Sequence, residues 1–409
     1  MRVLLVAPNI SMRMGGEAVI PYHCMRELRA LGLDVKALTH ARVRDELRAS
    51  PLWRDGDFHF VEDAPLERFL YETGKRVPGA VREIIFETGI NVVTLARLAS
   101  RARELARDMR ADIIHQPTPV SPRLPSFLTN MPAPVVIGPL NGNMVYPDAF
   151  RREFSRGFDA LNAVARGVSD AANFFIAGKR RAARILVANE RTRKGLPAGV
   201  PLNRIEVVVE NGVDLSVWTP PQTARAVAPT FVFVGRLVGW KGVDLLIEAF
   251  GKIKEDARLL IVGDGEERAR LEALAKASNK AASIEFLGFR PAAEIRDILA
   301  SASALVLPSL RECGGAVILE AFACGAPAIA TDWGGPQDYI TRDTGFLIAP
   351  ASRAGYVGGL ADAMRRFCDD PALSERMGRA ARARVEERFS WRAKAKSLVE
   401  IYARALAGD

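Results

Sequence analysis

Ala304-Leu305-Val306-Leu307-Pro308-Ser309-Leu310-Arg311-Glu312-Cys313-Gly314-Gly315-Ala316-Val317-Ile318-Leu319-Glu320-Ala321-Phe322-Ala323-Cys324-Gly325 is the stretch from which the fold can be read. Its apolar opening, Ala304 to Pro308, reads as a strand buried on both faces, since consecutive rather than alternate residues are apolar. A short loop with adjacent glycines follows, then a helix that ends at Gly325. Glycines at a helix start let a ligand approach the backbone, and the free N–H groups there favour an anion such as a diphosphate. Glu312 stands just before the helix and Glu320 about two turns inside it, so the two carboxylates can address different parts of one extended ligand. The alternative is a helix cap and a surface residue. Glu320 has apolar neighbours in a helix that is apolar nearly all round, where a carboxylate without a partner is costly, and that favours a functional role.

Upstream, Gly235-Arg236-Leu237-Val238-Gly239-Trp240-Lys241-Gly242 ends another strand-like run, and a helix is expected over 243–254. Arg236 and Lys241 could converge on a diphosphate and neutralise the charge of its departure; otherwise they are solvated loop charges. Gly263-Asp264-Gly265 also follows a strand, in a ligand-binding position for such sheets, although a plain turn explains it almost as well. Gly15-Gly16 follows the first strand where a Rossmann turn would touch a phosphate. It is not GxGxxG, which disfavours a dehydrogenase. His115, in Asp112-Ile113-Ile114-His115-Gln116-Pro117, stands at a strand's carboxyl end. There it could order an acceptor or relay a proton, or serve as a structural hydrogen-bonder.

Strand and helix patterns alternate along the whole chain, the signature of an α/β fold with parallel sheets. Strands are expected at 2–8, 33–39, 112–116, 134–138 and 184–188, and again at 230 onwards, 258–263, 284–287, 304–308, 327–331 and 345–349. Helices are expected over 17–31, 91–109 and about 158–182, and from Ser390, a credible N-cap, to the end. Glu210-Asn211-Gly212-Val213-Asp214 and Trp218-Thr219-Pro220-Pro221 carry turn and linker chemistry and mark a boundary between two domains. A chain of 409 residues is long enough for two cores.

With 49% hydrophobic and 26% charged residues the composition is that of a soluble globular protein. No apolar run approaches the ~18 residues of a membrane-spanning helix. The opening Met1–Pro8 stretch is too short for a signal-peptide core, so a cytoplasmic location is expected. The four cysteines and four histidines show no metal-ligand spacing, so no metal site is expected. The net charge of +9 is concentrated: residues 1–200 hold 30 Lys+Arg against 21 Asp+Glu, and the remainder is balanced at 27 each. A basic half suggests a polyanionic partner or simply a solvated basic surface. Nucleic acid is disfavoured, because the aromatic content is 7% and no basic–aromatic interleaving is present.

At these residues the chain resembles the family-4 retaining glycosyltransferases (glycosyl transferases group 1) of GT-B fold. The resemblance rests on Glu312-x7-Glu320 with its following Ala-x-Ala-Cys-Gly, on Gly235-Arg236-x4-Lys241-Gly242, and on Thr331-x2-Gly334-Gly335. Asn211-Gly212-Val213-Asp214 and Gly15-Gly16 match as well. It implies two Rossmann-like domains facing across a cleft: an acceptor domain over 1–205, completed by 390–409 as the final helix crosses back, and a nucleotide-sugar domain over 206–389. It implies a retaining, hexosyltransferase-type enzyme that moves a sugar from a UDP- or GDP-linked donor to a glycan or lipid-linked acceptor, in cell-envelope or exopolysaccharide synthesis. The alternative is a non-catalytic GT-B subunit that only binds sugar nucleotide. By the resemblance Arg236 and Lys241 bind the diphosphate, Glu320 the ribose, and Glu312 with the Cys313, Gly314 and Gly315 backbone the transferred sugar. Gly15, Gly16 and Gly263 line the donor, His115 stands on the acceptor side, and no metal or other cofactor is required. The chain departs from the family in having Cys313-Gly314-Gly315 where Gly-Phe-Gly is frequent, and a single histidine where His-x-His is frequent. Phe174-Phe175-Ile176-Ala177-Gly178-Lys179-Arg180-Arg181 sets apolar residues beside a basic cluster. It could dock peripherally on the inner, anionic face of a membrane, or form a core-facing helix with a basic solvent side.

Overall fold

The computed structural model describes residues 1–75, 77, 86–154, 158–220 and 228–408; Pro221 of the linker lies outside the described residues. Contacts divide the chain into two compact units. The first comprises Met1–Asn143, Ala160–Glu210 and Lys394–Asp409, and the second Met144–Asp159 and Asn211–Ala393. The division falls at 210/211 rather than 205/206, and residues 144–159 group with the second unit.

Seven parallel strands make the sheet of the first unit: β1 (Arg2–Val6), β2 (Asp34–His40), β3 (Phe58–Val61), β4 (Ile113–Gln116), β5 (Val135–Leu140), β6 (Arg184–Val187) and β7 (Ile205–Val207). Their spatial order is β3-β2-β1-β4-β5-β6-β7. β3 and β7 were not anticipated. Both are edge strands of three or four residues with half-exposed side chains, so neither carries an unbroken apolar run. The interior strands do: β4, β5 and β6 are buried at every residue. Leu98, Ala102 and Leu105, from the helix Thr88–Asp108, pack with Leu4, Ile114 and Ile137 of the sheet in one core.

In the second unit six parallel strands, β8 (Thr230–Val234), β9 (Arg258–Val262), β10 (Ile284–Gly288), β11 (Ala304–Leu307), β12 (Ala328–Thr331) and β13 (Gly345–Ile348), take the order β10-β9-β8-β11-β12-β13. Each sheet therefore runs outward from its first strand in one direction, then returns to continue in the other. This is the Rossmann arrangement, with a switch point between β1 and β4 in one unit and between β8 and β11 in the other.

The helix expected over 158–182 is broken. It runs as Phe158–Phe175, and a separate turn follows at Gly178–Arg181. At Gly178 a Cβ would lie 1.9 Å from the Ser126 carbonyl oxygen, so the backbone must leave the helical path to pass this loop. The final helix, Trp391–Ala407, is capped as expected: Ser390 Oγ accepts from the Ala393 N–H at 3.2 Å.

Candidate functional site

In the second unit four loops at the carboxyl ends of β8, β9, β11 and β12 are locked together by glycines at which no side chain would fit. A Cβ on Gly263, after β9, would sit 1.9 Å from the Gly235 carbonyl oxygen after β8. The two loops continue in register, with Leu237 N–H donating to Asp264 O at 2.9 Å. Gly242 has φ +66° and would set a Cβ 2.4 Å from the Pro308 oxygen, tying the β8 loop to the end of β11. Leu310 N–H completes that tie by donating to Trp240 O at 2.8 Å. On the far side Gly335 N–H donates to Glu312 O at 2.8 Å, and Cβ atoms on Gly334 and Gly335 would strike the oxygens of Glu312, Cys313 and Gly314. Backbone lies on backbone throughout, and only glycine permits this.

The side chains carried by this scaffold are those expected from the motifs. Lys241 Nζ lies 2.5 Å from Glu312 Oε2, with both side chains largely buried (19% and 14% exposed), so the β8 and β11 loops meet in an ion pair across the switch point. Arg236 is exposed in the β8 loop, and among the described residues its guanidinium makes no hydrogen bond or ion pair. Gly315, at φ +81°, caps the helix Ala316–Ala323, whose first N–H groups lie beside Glu312. Cys313 is exposed and Gly314 buried. Glu320, half-buried on that helix, has no hydrogen-bond or ion-pair partner for its carboxylate among the described residues. Burial pushes its pKa up to about 7. Gly263, held by its contact with Gly235, acts as a strut for the Arg236 loop, so the plain-turn reading of Gly263-Asp264-Gly265 describes its packing best.

Two neighbours were not anticipated. Ser309, between β11 and Glu312, is fully buried with an Oγ that finds no partner among the described residues. The segment from Met144 packs here too: Trp333 Nε1 donates to Val145 O at 2.8 Å, and the Arg311 guanidinium stands 5.8 Å from the Tyr146 ring centre. Neither Ser309 nor this segment has a motif of its own.

In the first unit Gly15 (φ +65°) and Gly16 (φ +57°) form the turn after β1, with open space where a Cβ would stand. Their glycine identity follows from the left-handed backbone, not from crowding. Glu46 holds the approach to this turn by accepting from Ser11 Oγ (2.6 Å) and the N–H groups of Met12 (2.8 Å) and Arg13 (3.0 Å).

His115 requires a correction. It stands at the end of β4 as expected, but it is wholly buried. Its Nε2 lies 2.6 Å from the Gly138 carbonyl, which can only accept, so Nε2 carries the proton. Nδ1 therefore accepts from the Tyr402 hydroxyl, also at 2.6 Å. Both nitrogens are used, and burial lowers the pKa to about 4. The ring is a neutral strut between β4, β5 and the final helix, not an acid–base group open to an acceptor.

His40, Asp63 and Glu67, also in the first unit, are grouped closely enough to hold a cation. His40 Nδ1 accepts from Arg42 N–H at 3.1 Å, which leaves the proton on Nε2, facing Asp63 Oδ1 at 3.2 Å. Glu67 accepts from Thr94, from Ala64 N–H and from Arg97. The histidine thus offers its acidic neighbours an N–H rather than a lone pair.

Two Rossmann-like units, one with cations and carboxylates gathered at its switch point, define the GT-B class. Residues 220–384 match the family model "Glycosyl transferases group 1". Alpha-maltose-1-phosphate synthase of Mycobacterium tuberculosis (strain ATCC 25618 / H37Rv) is 31% identical over 220 residues, which are 49% of this chain and 57% of that protein. Glycogen synthase of the same strain is 33% identical over 207 residues, 49% of each chain. The chain thus spans about half the length of these curated relatives. Among solved structures, sucrose-phosphate synthase from Thermosynechococcus elongatus aligns with a TM-score of 0.70 and 21% identity over 100% of both chains. Anabaena HepE in complex with UDP and glucose aligns with a TM-score of 0.64 and 17% identity over 98% of both. No helix among the described residues is long and apolar enough to cross a membrane.

Proposed function

We propose that the protein is a glycosyltransferase that moves a hexose from a nucleotide-diphosphate sugar, UDP- or GDP-linked, to a glycan or lipid-linked acceptor, with retention of configuration. The observation that carries this reading is the Lys241–Glu312 pair at the β8/β11 switch point, with Arg236 and Glu320, unpaired among the described residues, on the same strand-end loops and helix. Such edges of open α/β sheets are where ligands bind. The UDP in the HepE complex supports a nucleotide donor.

Arg236 and Lys241 would take the diphosphate, aided by the N-terminus of the helix Ala316–Ala323. A bound diphosphate would compete with Glu312 for Lys241 Nζ, and the released carboxylate would accept hydroxyls of the transferred sugar beside the Cys313–Gly315 backbone. Glu320 would accept the ribose hydroxyls. The Gly15-Gly16 turn offers N–H groups to an anion. In the reaction the bond from the anomeric carbon to the diphosphate oxygen breaks and a new one forms to the acceptor oxygen. The acceptor's proton passes to the departing phosphate, whose negative charge the two cations stabilise, and this requires no histidine. Cell-envelope or exopolysaccharide synthesis on the cytoplasmic side of a membrane supplies acceptors of the required kind.

The test is calorimetric titration of UDP, GDP and ADP, and of their sugar conjugates, into wild type and Lys241→Ala. Selective binding of one nucleotide, lost in the variant, is the expected result. Failure of every nucleotide to bind would overturn the donor-site assignment.

A further inference from the structure

The last turns of the helix Phe158–Phe175, from Arg166 on, are attached to the first unit by their polar side, the reverse of an ordinary surface helix. Ser169 Oγ and Asn173 Nδ2 both donate to the Arg123 carbonyl, at 2.6 and 2.7 Å, and Asp170 pairs with the Arg123 guanidinium at 3.3 Å. Ser169 and Asn173 are four residues apart and share a face. Val168, Ala171 and Phe175, spaced by three and four, share another, and that face is open to solvent: Val168 is 65% exposed and Phe175 81%. Phe174 beside them is 69% exposed. Apolar side chains at these spacings normally face a core. Here the polar residues hold the protein and the apolar ones are left outside, which marks a surface with a partner.

The surrounding charge identifies that partner. The stretch 151–200 carries 11 Lys+Arg against 4 Asp+Glu, the most basic part of the chain. Lys179 does not belong to the surface. It is buried, donates to the Pro122 and Ser121 carbonyls at 2.5 and 3.3 Å, and has its pKa lowered by burial to about 7. Arg166, three, four and seven residues before Ser169, Asp170 and Asn173, lies on their side of the helix, so the cations beside the apolar face are Arg181, which is exposed and donates to Asn130 Oδ1, and Arg180, which is half-buried with its guanidinium 5.7 Å from the Phe174 ring centre. An apolar, aromatic helix face rimmed by arginines matches the interface of an anionic bilayer, where rings enter the acyl boundary and guanidinium groups meet phosphates. A second copy of this chain fits poorly, because a two-fold contact would set these arginines against their own equivalents.

We infer that the face formed by Val168, Ala171, Phe174 and Phe175, with Arg180 and Arg181 at its rim, docks on an anionic phospholipid bilayer. This deepens the glycosyl-transfer reading by naming where a lipid-linked acceptor is met, and rests on that reading for nothing else.

Sedimentation with vesicles tests it, using the full chain without nucleotide. One vesicle is phosphatidylcholine alone, and the other is phosphatidylcholine mixed with phosphatidylglycerol. Wild type is expected to sediment with the mixed vesicles only, and to be released by high salt. The double variant Val168→Ser/Phe175→Ser should bind at least about tenfold more weakly, and Arg181→Ala should weaken the preference for anionic lipid. All substituted side chains are exposed, so thermal melting and nucleotide titration of the same samples should match wild type. Absence of wild-type binding to the mixed vesicles would overturn the inference. So would a wild-type dimer in solution that Val168→Ser/Phe175→Ser converts to monomer, since the face would then be a protein interface. A loss of nucleotide binding with vesicle binding intact would count against the donor site alone.

Discussion

Glu320 should release a proton when nucleotide binds, and Glu320→Gln should abolish that release. Among the described residues its carboxyl has no partner, and burial holds the pKa at about 7, against an ordinary 4.5. That displacement corresponds to roughly 3 kcal/mol against ionisation. Ribose hydroxyls donating to the carboxylate would offset this cost and return the pKa towards its ordinary value. At about pH 6 some nine-tenths of the free protein would be protonated at this residue and the bound protein hardly at all, so close to one proton leaves per nucleotide. At about pH 7 the release falls to roughly half a proton, and by about pH 8 to a tenth. Titration calorimetry in buffers of different ionisation enthalpy measures this directly. The nucleotide's own phosphate proton contributes to wild type and variant alike and cancels in the difference. Stability supplies a second reading of the same group. A raised folded pKa gives a contribution that is complete below about pH 4.5 and lost as pH rises through about 7. Glu320→Gln, neutral at every pH, should therefore match wild type near pH 5 and exceed it by up to about 3 kcal/mol near pH 8. Equal proton release from the two proteins at pH 6 would refute the ribose assignment. Equal pH dependence of their melting would refute the burial argument beneath it.

His115→Ala should lower stability by about 3 kcal/mol, because the Tyr402 hydroxyl and Gly138 carbonyl are left unpaired, yet keep kcat within about twofold while folded; a collapse of kcat in well-folded variant would restore a catalytic role. The same substitution should flatten the acid limb of chemical denaturation. A histidine whose pKa falls from 6.5 to about 4 on folding gives stability above pH 6.5 that is lost as pH falls through about 4. Gly263→Ala must force a Cβ against the Gly235 oxygen at φ +129°. It should cost more than about 2 kcal/mol in melting experiments and weaken nucleotide binding through the displaced Arg236 loop. Glu46→Ala should speed amide hydrogen exchange at Met12 and Arg13 by about tenfold, since both N–H groups lose their acceptor; unchanged exchange would show that the loop before Gly15 is held by other contacts.

The sequence was most legible where one physical demand governs each residue. Eleven of the strands could be read from apolar runs because interior parallel strands are covered on both faces and admit little else. β3 and β7 were missed because an edge strand faces that demand on one side only. The break at Ile176–Ala177 was missed for another reason: it depends on the close passage of the Ser126 carbonyl, a contact far away in sequence. His115 shows the limit most clearly. Its place at a strand end was read correctly, but a strand end at the switch point can face the ligand or the core. Tyr402, which binds it, lies 287 residues away.

The glycines of the second unit account for why its candidate site was the more legible. Gly242, Gly263, Gly334 and Gly335 are required by backbone contacts, and those contacts fix the loops that carry Arg236, Lys241 and Glu312. Of the charged groups on that rigid frame, Lys241 and Glu312 satisfy one another, while Arg236, which is exposed, and Glu320, kept near neutrality by burial, have no protein partner among the described residues. A buried carboxyl without a partner is costly, which makes Glu320 the group that packing alone accounts for least. A ligand with an anionic centre and hydroxyls on either side would give Arg236 and Lys241 an anion, and supply Glu312 and Glu320 with donors. The frame is therefore settled by packing, and on the proposed reading a sugar nucleotide would complete its electrostatics.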